Sequence, residues 1–247
     1  MAVHLSTTTA LVTGANRGLG KALVEALLER GAPRVYATAR RRETLDDLVA
    51  RGSGRVVPIE LDVTDAAQVA TLAGQADDVT LLINNAGVAA HMFGAFGDAA
   101  WLEAGRTEFE VNVLGTLAVT QQLAPVLARH GGGAVANVAS VASFISFPPA
   151  PTYAASKAGT HSITQYARMQ LREQGTYVAG VYPGPVDTDM AADLPFEKTS
   201  PRDVAHAILD GLEAGQEDIL PDPMARQIGA AFHAGPRQLE QPQPASA

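Results

Sequence analysis

Short apolar runs alternate with stretches of helical periodicity along most of the chain. Apolar runs that predict buried strands lie at 9–13, 34–39, 56–61, 80–83, 133–138, 176–182 and 218–220. Apolar positions at helical spacing predict helices at 18–30, 43–50, 66–76 and 109–129, with one more beginning after Ser200. Alternating strands and helices are typical of a parallel sheet covered by helices on both faces. The sequence therefore predicts a doubly wound α/β fold of about seven strands.

The domain organisation follows from length and from the end of the chain. The 247 residues suit one large α/β domain, and no internal repeat or linker divides them. We expect this domain to span residues 1–232. The segment from His233 to Ala247 is rich in Gln, Pro and Ala and has little to bury, so it is expected to be a disordered tail.

Composition and charge narrow the range of partners. The chain carries a net charge of −8, which argues against a nucleic acid or an anionic membrane, because either would need a basic face. It has no Cys, so disulfides and thiolate metal sites are excluded, and no metal site is expected. Neither a signal peptide nor a run of about 20 apolar residues is visible. These features predict a cytoplasmic protein.

The candidate chemistry lies between residues 140 and 157. Tyr153 and Lys157 are four residues apart, so on a helix they share one face. An ammonium about 4 Å from a phenol, at an effective dielectric of about 20, would lower the phenol pKa by about 3 units. Ser140 would hydrogen-bond the same substrate oxygen. This triplet predicts proton transfer at a carbonyl or carbinol oxygen; the alternative is an exposed Tyr-Lys pair on a helix.

A glycine-rich turn follows the first predicted strand and opens the first predicted helix. It reads Gly14-Ala15-Asn16-Arg17-Gly18-Leu19-Gly20. Glycines in this context let a pyrophosphate approach the backbone, and the helix N-terminus supplies N–H donors and partial positive charge. The alternative is a turn that merely packs closely against its neighbours.

With Thr13 before the turn and Tyr153-x-x-x-Lys157 after it, the spacing G-x-x-x-G-x-G resembles the short-chain dehydrogenase/reductase family over about the first 190 residues. The resemblance implies a Rossmann fold and a nicotinamide dinucleotide, and it extends through three further motifs. The cofactor contacts that it implies are Gly14, Asn16, Arg17, Gly18, Leu19, Gly20, Asp62, Val63, Asn85, Ala86, Gly87, Tyr153, Lys157, Pro183, Gly184, Val186 and Thr188.

The resemblance also assigns the catalytic group. It implies that Tyr153 is the proton donor, that Lys157 and Ser140 assist it, and that Asn112 holds a kink and a water that relays protons to the lysine. The family's Ser-Ser-x-x-Gly pattern is incomplete here, because Ala139 replaces the first serine and the glycine is absent. Ser143 is a rival to Ser140, but it lies closer to Tyr153 than the family's spacing allows.

The end of the second predicted strand indicates which dinucleotide is used. An NAD-binding unit usually carries an acidic residue there for the ribose 2′-hydroxyl. Here Ala39 takes that place and Arg40-Arg41-Arg42 follow, which suits a 2′-phosphate. The sequence predicts NADP(H), with Arg40 as the strongest candidate contact and Arg17 as a further one. The alternative is a solvated basic start to the next helix.

These features together predict an NADPH-dependent, carbonyl-reductase-like oxidoreductase that reduces a hydrophobic ketone or aldehyde, or runs the reverse reaction. The apolar candidates for the substrate side are Phe93, Phe144, Phe147, Met190 and Leu194, and the short segment after Thr188 predicts an open pocket. The family implies a homodimer or homotetramer. The alternatives are a non-catalytic NADP-binding redox sensor or scaffold, and a nucleotide-sugar epimerase or dehydratase, which would need a larger C-terminal domain.

Overall fold

Seven parallel strands form the centre of the computed structural model, which describes residues 3–235. The strands are β1 Thr9–Val12, β2 Arg34–Ala39, β3 Val56–Glu60, β4 Leu81–Asn84, β5 Ala134–Val138, β6 Tyr177–Val181 and β7 Asp218–Ile219. Their order across the sheet is β3-β2-β1-β4-β5-β6-β7. The predicted doubly wound sheet is confirmed, and each predicted strand overlaps an observed one.

Helices cover both faces of the sheet. They are α1 Gly18–Glu29, α2 Asp46–Arg51, α3 Ala66–Gln75, α4 Ala100–Glu108, α5 Thr116–Arg129, α6 Pro151–Leu171, α7 Pro201–Glu213 and α8 Pro223–Ala234. A π-helical turn, Phe109–Gly115, joins α4 to α5 without a break. Short 3-10 turns lie at Leu5–Thr7, Arg42–Leu45, Val141–Ser143 and Asp189–Ala191.

The apolar runs of the strands are explained by burial on both faces. Successive strand residues point to opposite sides of a sheet. Leu11 and Leu82 pack with Leu72 of α3 and Leu123 of α5 on one side. The intervening strand residues pack with α1 and α7 on the other side. Most positions of the central strands are therefore apolar, as is typical of parallel sheets.

The strand order reverses between β1 and β4, and this reversal creates a crevice. The carboxyl ends of the two strands are level, because Val12 pairs with Ile83. The chain leaving β1 goes on to form β2 on one side, and the chain leaving β4 goes on to form β5 on the other. Ligands of open α/β sheets bind at such a point, outside the carboxyl ends of the strands.

Two helical segments differ from the sequence prediction. The helix expected at 109–129 begins at Ala100, nine residues earlier, because the polar stretch before Phe109 is helical as well. The helix expected at 43–50 is divided into a 3-10 turn, Arg42–Leu45, and the short helix α2.

A further helix follows β7. Helix α8 was not predicted, and it continues through His233 to Ala234. Asp222 caps this helix by accepting a hydrogen bond from the backbone N–H of Ala225 at 2.8 Å. The rest of the expected tail, residues 236–247, lies outside the described residues.

One helical stretch is apolar and long enough to resemble a membrane span. Among the described residues only Ala100–Arg129 meets that criterion, with a mean hydropathy of 1.3 over its most apolar window. Of that window 56% is buried inside the protein, against α3 and α6. The length and apolar composition of this stretch are therefore those of a core helix of this fold.

Candidate active site

A cleft of about 2870 Å³ runs along the carboxyl edge of the sheet. All the residues assigned to cofactor binding from sequence line it, although they come from six separate segments of the chain. They are Gly14, Asn16, Arg17, Gly18, Leu19, Gly20, Arg40, Asp62, Val63, Asn85, Ala86, Gly87, Tyr153, Lys157, Pro183, Gly184, Val186 and Thr188. Ser140 lines the same cleft, and Asn112 lies buried behind it.

The glycine turn forms one wall of the cleft and has a conformation that requires glycine. Gly14 and Gly18 have φ of +65° and +52°, in the left-handed region. A Cβ added at Gly18 would lie 3.1 Å from Cγ2 of Thr188. No side chain caps the N-terminus of α1, whose first residue is Gly18. The backbone of this turn can therefore approach a ligand closely. The uncapped N–H groups and the partial positive charge at the N-terminus of α1 suit a pyrophosphate.

Thr13 and Asn85 hold the turn against the end of β4. The Thr13 hydroxyl accepts hydrogen bonds from the backbone N–H groups of Asn85 and Ala86, both at 2.9 Å. The Asn85 side-chain amide donates back to the carbonyl oxygens of Thr13 and Gly14, at 2.9 and 3.2 Å. These four bonds fix the glycine turn relative to Ala86 and Gly87. Thr13 was noted in the sequence only as part of a motif, and its bridging role was not predicted.

Two arginines flank the part of the cleft beside β2. Arg40 is exposed at the end of β2 and makes no ion pair with any described residue. Arg17 pairs with Asp189 across the cleft, with 2.7 Å between Nη1 and Oδ2, and both side chains are well exposed. An exposed pair of this kind is weak. Arg40 thus has its guanidinium unengaged, whereas Arg17 would have to leave Asp189 to bind a ligand.

The remaining walls are fixed by short polar contacts. Asp62 turns the chain after β3, because its carboxylate accepts from the backbone N–H and the hydroxyl of Thr64 at 3.0 and 2.7 Å. At the opposite end, buried Asp222 accepts the backbone N–H of Gly184 at 2.7 Å. Asp222 therefore ties α8 to the Pro183–Thr188 segment, a role that the sequence did not reveal.

Ser140, Tyr153 and Lys157 meet at the base of the cleft. The Ser140 hydroxyl accepts from the Ala142 N–H at 3.1 Å, and its own donor is only weakly engaged, 3.4 Å from the Pro183 carbonyl. The Lys157 ammonium is 5.7 Å from the centre of the Tyr153 ring. The predicted helix carrying Tyr153 and Lys157 is α6, which begins with Pro151.

The expected lowering of the phenol pKa is not found. Burial raises the pKa of Tyr153 to about 12, contact with the Ser140 hydroxyl lowers it, and the negative charge of Glu108 raises it. Burial also lowers the pKa of Lys157 to about 8. The Lys157 ammonium donates to the Val138 carbonyl at 2.9 Å, and burial is the largest cause of both shifts. Desolvation then outweighs attraction between the two groups.

Asn112 lies in the π-helical turn between α4 and α5. Its amide accepts from the Val88 N–H at 2.8 Å and donates to the Val88 carbonyl and the Ser156 hydroxyl, both at 2.9 Å. The Thr160 hydroxyl donates to its main-chain carbonyl at 2.9 Å. A Cβ added at Gly87 would lie 3.2 Å from its amide oxygen and 3.3 Å from the Lys157 ammonium. Asn112 thus joins α6 to the chain after β4, beside Lys157; π-turns are frequent at functional sites.

The substrate side of the cleft differs in part from the prediction. Phe147, Met190 and Leu194 line it, together with Phe196, which the sequence did not indicate. Phe144 does not, because it is buried against Tyr182 and Phe232 with ring centres 4.5 and 4.7 Å away. Phe93 points to solvent and is 54% exposed. Phe196 belongs to no sequence motif, so only the fold could have shown that it lines the cleft.

Comparison with known proteins agrees with this geometry. Residues 8–198 match the family model described as short chain dehydrogenase. An uncharacterized oxidoreductase from Staphylococcus saprophyticus is 31% identical over 222 residues, covering 85% of this chain and 93% of the relative. The chain therefore belongs to the short-chain dehydrogenase family and is an oxidoreductase of that family.

Two solved structures extend the comparison. A short-chain dehydrogenase from Burkholderia cenocepacia, solved in complex with NADP, is 39% identical with a TM-score of 0.89, covering 97% of this chain and 100% of the other. A short-chain dehydrogenase from Sphingobium yanoikuyae, solved with NADPH, is 26% identical with a TM-score of 0.80, covering 98% of each chain. The Rossmann-type architecture predicted from sequence is confirmed.

Proposed function

We propose that this protein is an NADPH-dependent reductase of a hydrophobic ketone or aldehyde, with Tyr153 as the proton donor. The observation that carries the proposal is the shared cleft, in which the glycine turn and the group of Ser140, Tyr153 and Lys157 face the same space. The reverse reaction, alcohol oxidation, uses the same residues.

The residues of the cleft fit a dinucleotide with a 2′-phosphate. The strained turn at Gly14 and Gly18 leaves no room for a side chain, so a pyrophosphate can lie against the backbone. Ala39 stands where an acidic residue would select NAD, and the unpaired Arg40 follows it. Relatives solved with NADP and NADPH add support.

When bound, NADPH supplies the hydride that reduces the carbonyl carbon. The weakly engaged Ser140 hydroxyl donates to the carbonyl oxygen and orients it. Tyr153, with its pKa raised to about 12, keeps its proton at neutral pH and gives it to the oxygen as negative charge develops there. Lys157, with its pKa lowered to about 8, exchanges protons readily near neutrality and restores the proton of Tyr153. Asn112 holds the backbone beside Lys157 in place.

The substrate is proposed to be apolar on both sides of its carbonyl group. Phe147, Phe196 and Leu194 supply an apolar wall, and the Phe147 and Phe196 ring centres are 6.2 Å apart. The short segment after Thr188 leaves a wide cleft, which favours a bulky substrate. The chain would then act on carbonyl compounds that bring no carboxylate of their own.

The decisive experiment measures NADPH and NADH consumption across a panel of aliphatic, aromatic and bulky ketones and aldehydes. Y153F should lower kcat by about 10²- to 10⁴-fold and change cofactor affinity little, since it removes only the transferable proton. The matched control is Y166F, because Tyr166 lies on the same helix and is 46% exposed. Undiminished turnover in Y153F would refute the proposal.

Cofactor choice has its own test. R40A should weaken NADPH binding by about tenfold or more and leave NADH binding nearly unchanged, because a charge-assisted contact to the phosphate is lost. R42A is the control, since Arg42 is exposed in the same segment but does not line the cleft. Tight NADPH binding by a wild-type protein that turns over no substrate would instead favour the redox sensor.

We further propose that the protein works in the cytoplasm as a homodimer or homotetramer, without nucleic acid or membrane. The net charge of −8 and the absence of Cys support this setting. Light scattering coupled to size-exclusion chromatography measures the mass directly; one chain of 25.7 kDa at micromolar concentration would contradict the oligomer.

A further inference from the structure

Glu108 is a fully buried acidic residue beside the active site. It ends α4, immediately before the π-helical turn that carries Asn112, and its relative exposure is 0%. One carboxylate oxygen, Oε1, accepts the backbone N–H of Ala90 at 2.8 Å. The other, Oε2, has no partner among the described residues. Buried acidic groups are rare unless they are paired, so this one requires an explanation.

The position of Glu108 connects it to the proton donor. One turn earlier on α4, Gly105 packs against Thr152, which precedes Tyr153 on α6; a Cβ added at Gly105 would lie 3.3 Å from Thr152. The Ala90 N–H that Glu108 binds is only three residues beyond Gly87, which adjoins Lys157. Glu108 therefore sits between the start of α6 and the chain that leaves β4.

No cation within the described residues forms an ion pair with Glu108. Burial contributes most to the raised pKa of Tyr153, and the charge of Glu108 adds to it. In a medium of low dielectric a negative charge of this kind opposes phenolate formation.

We propose that Glu108 is a positioning residue of the active site: its carboxylate fixes the substrate-side loop at Ala90, and its negative charge keeps the proton on Tyr153. The proposal rests on the proposed reductase function, and it adds a residue that determines the pH range of the reaction.

The other groups around Tyr153 have different roles. Helix α6 contributes the Lys157 ammonium, which donates to the Val138 carbonyl. The loop after β4 carries His91, whose Nε2 is 2.9 Å from a carboxylate oxygen of Asp98 and whose ring packs on Trp101. The turn after β5 and the segment after β6 contribute Ser140 and Pro183, which carry no charge. Glu108 is therefore the buried acidic group of α4 whose charge raises the pKa of the proton donor.

The rate depends on pH with opposite sign in the two directions of the reaction. Reduction needs protonated Tyr153, so its rate falls as pH rises through the pKa of that phenol. Oxidation needs phenolate, so its rate rises through the same pKa. Removing the charge of Glu108 should move both profiles to lower pH, by about one unit, because a neighbouring negative charge disfavours the phenolate.

Two variants separate the charge from the contact. E108Q keeps an oxygen for the Ala90 N–H and removes the charge, so it should shift the pH profile of kcat by about one unit downward with little change in KM. E108D keeps the charge but draws the carboxylate away from Ala90, so it should raise KM several-fold and leave the pH profile in place. E103Q is the control, because Glu103 is on the same helix with its side chain 78% exposed; no shift is expected.

A readout independent of turnover distinguishes this proposal from the proposed function. Tyrosine labelled with ¹³C at Cζ gives a resonance for each of the five tyrosines, and Y153F identifies that of Tyr153. A lower phenol pKa in E108Q than in wild type supports the role of Glu108 even if no ketone is reduced. An unchanged pKa and pH profile in a folded E108Q overturns it. If E108Q does not fold, rapid hydrogen exchange of the Ala90 amide in wild type overturns it instead, and slow exchange supports it.

Discussion

Lys157→Met should make the protein more stable while removing its activity. Lys157 is only 4% exposed, and burial lowers its pKa from 10.5 to about 8. A pKa shift of this size means that the charged lysine costs the folded protein about 3 kcal/mol of free energy. Methionine has a similar length and shape but no charge, so the substitution removes that cost.

The expected net gain is smaller than the cost of the charge. The ammonium donates one hydrogen bond to the Val138 carbonyl at 2.9 Å, and its loss is worth about 1 kcal/mol. We therefore expect K157M to raise the free energy of unfolding by about 2 kcal/mol at pH 7. In a protein of this size that raises Tm by about 4 to 8 °C.

The pH dependence identifies the cause. Between pH 8 and 10.5 the unfolded chain holds a proton on Lys157 that the folded chain has lost, so the stability of the wild type rises with pH in that window. The cost of the charge is complete below pH 8 and disappears as pH approaches 10.5. The advantage of K157M should therefore shrink across this window, and above it K157M should have no advantage left.

Denaturant unfolding of both proteins at pH 7 and at pH 10, at one protein concentration, measures the difference. K198M is a matched control, because the Lys198 ammonium also binds a carbonyl at 2.9 Å, that of Ala192, but in an exposed position; its effect should stay within about 0.5 kcal/mol. A K157M protein that is less stable than wild type at pH 7, or whose advantage does not depend on pH, would refute the reasoning.

Two further substitutions test the walls of the cleft. G18A should cost about 1 to 2 kcal/mol of stability and weaken NADPH binding, because φ is +52° and the new methyl group meets Thr188. The control G54A, at φ +81° with open space around it, should lower stability without weakening NADPH binding. Thermal unfolding measures the first quantity and cofactor titration the second. D222A should cost about 2 to 4 kcal/mol, because it removes the cap of α8 and the acceptor for the Gly184 N–H; a loss below 1 kcal/mol in denaturant unfolding would contradict that.

The fold was predictable because its signals are local. The central strands are buried on both faces, so their residues form largely apolar runs that can be recognised without knowledge of their neighbours. Two helix starts carry a local signal of the same kind: Asp65 accepts from the N–H groups of Ala67 and Gln68, and Ser200 accepts from that of Asp203. Helix α4 was missed because its nine residues mix apolar and polar side chains in equal numbers, and it is recognisable as a helix only through its packing.

The candidate site was predictable only where motifs mark it. Tyr153, Lys157 and the glycine turn belong to patterns with fixed spacing, and the structure brings them to one cleft. Glu108 and Asp222 belong to no pattern, and each gains its role from a partner far along the chain. Sequence reasoning also misjudged the pKa of Tyr153, because spacing gives the distance between two groups but not the extent of their burial.

In the proposed mechanism, burial gives the proton relay its direction. In water a phenol and an alkyl ammonium have nearly equal pKa values, about 10 and 10.4, so a proton has little preference between them. Here burial disfavours both charged forms, which moves the phenol to about 12 and the ammonium to about 8. The ammonium becomes the stronger acid by about four units, so a phenolate left after reduction recovers its proton downhill from the side of Lys157. The apolar enclosure that makes Lys157 costly for stability is therefore the same feature that would reset Tyr153 for the next turnover of the proposed reaction.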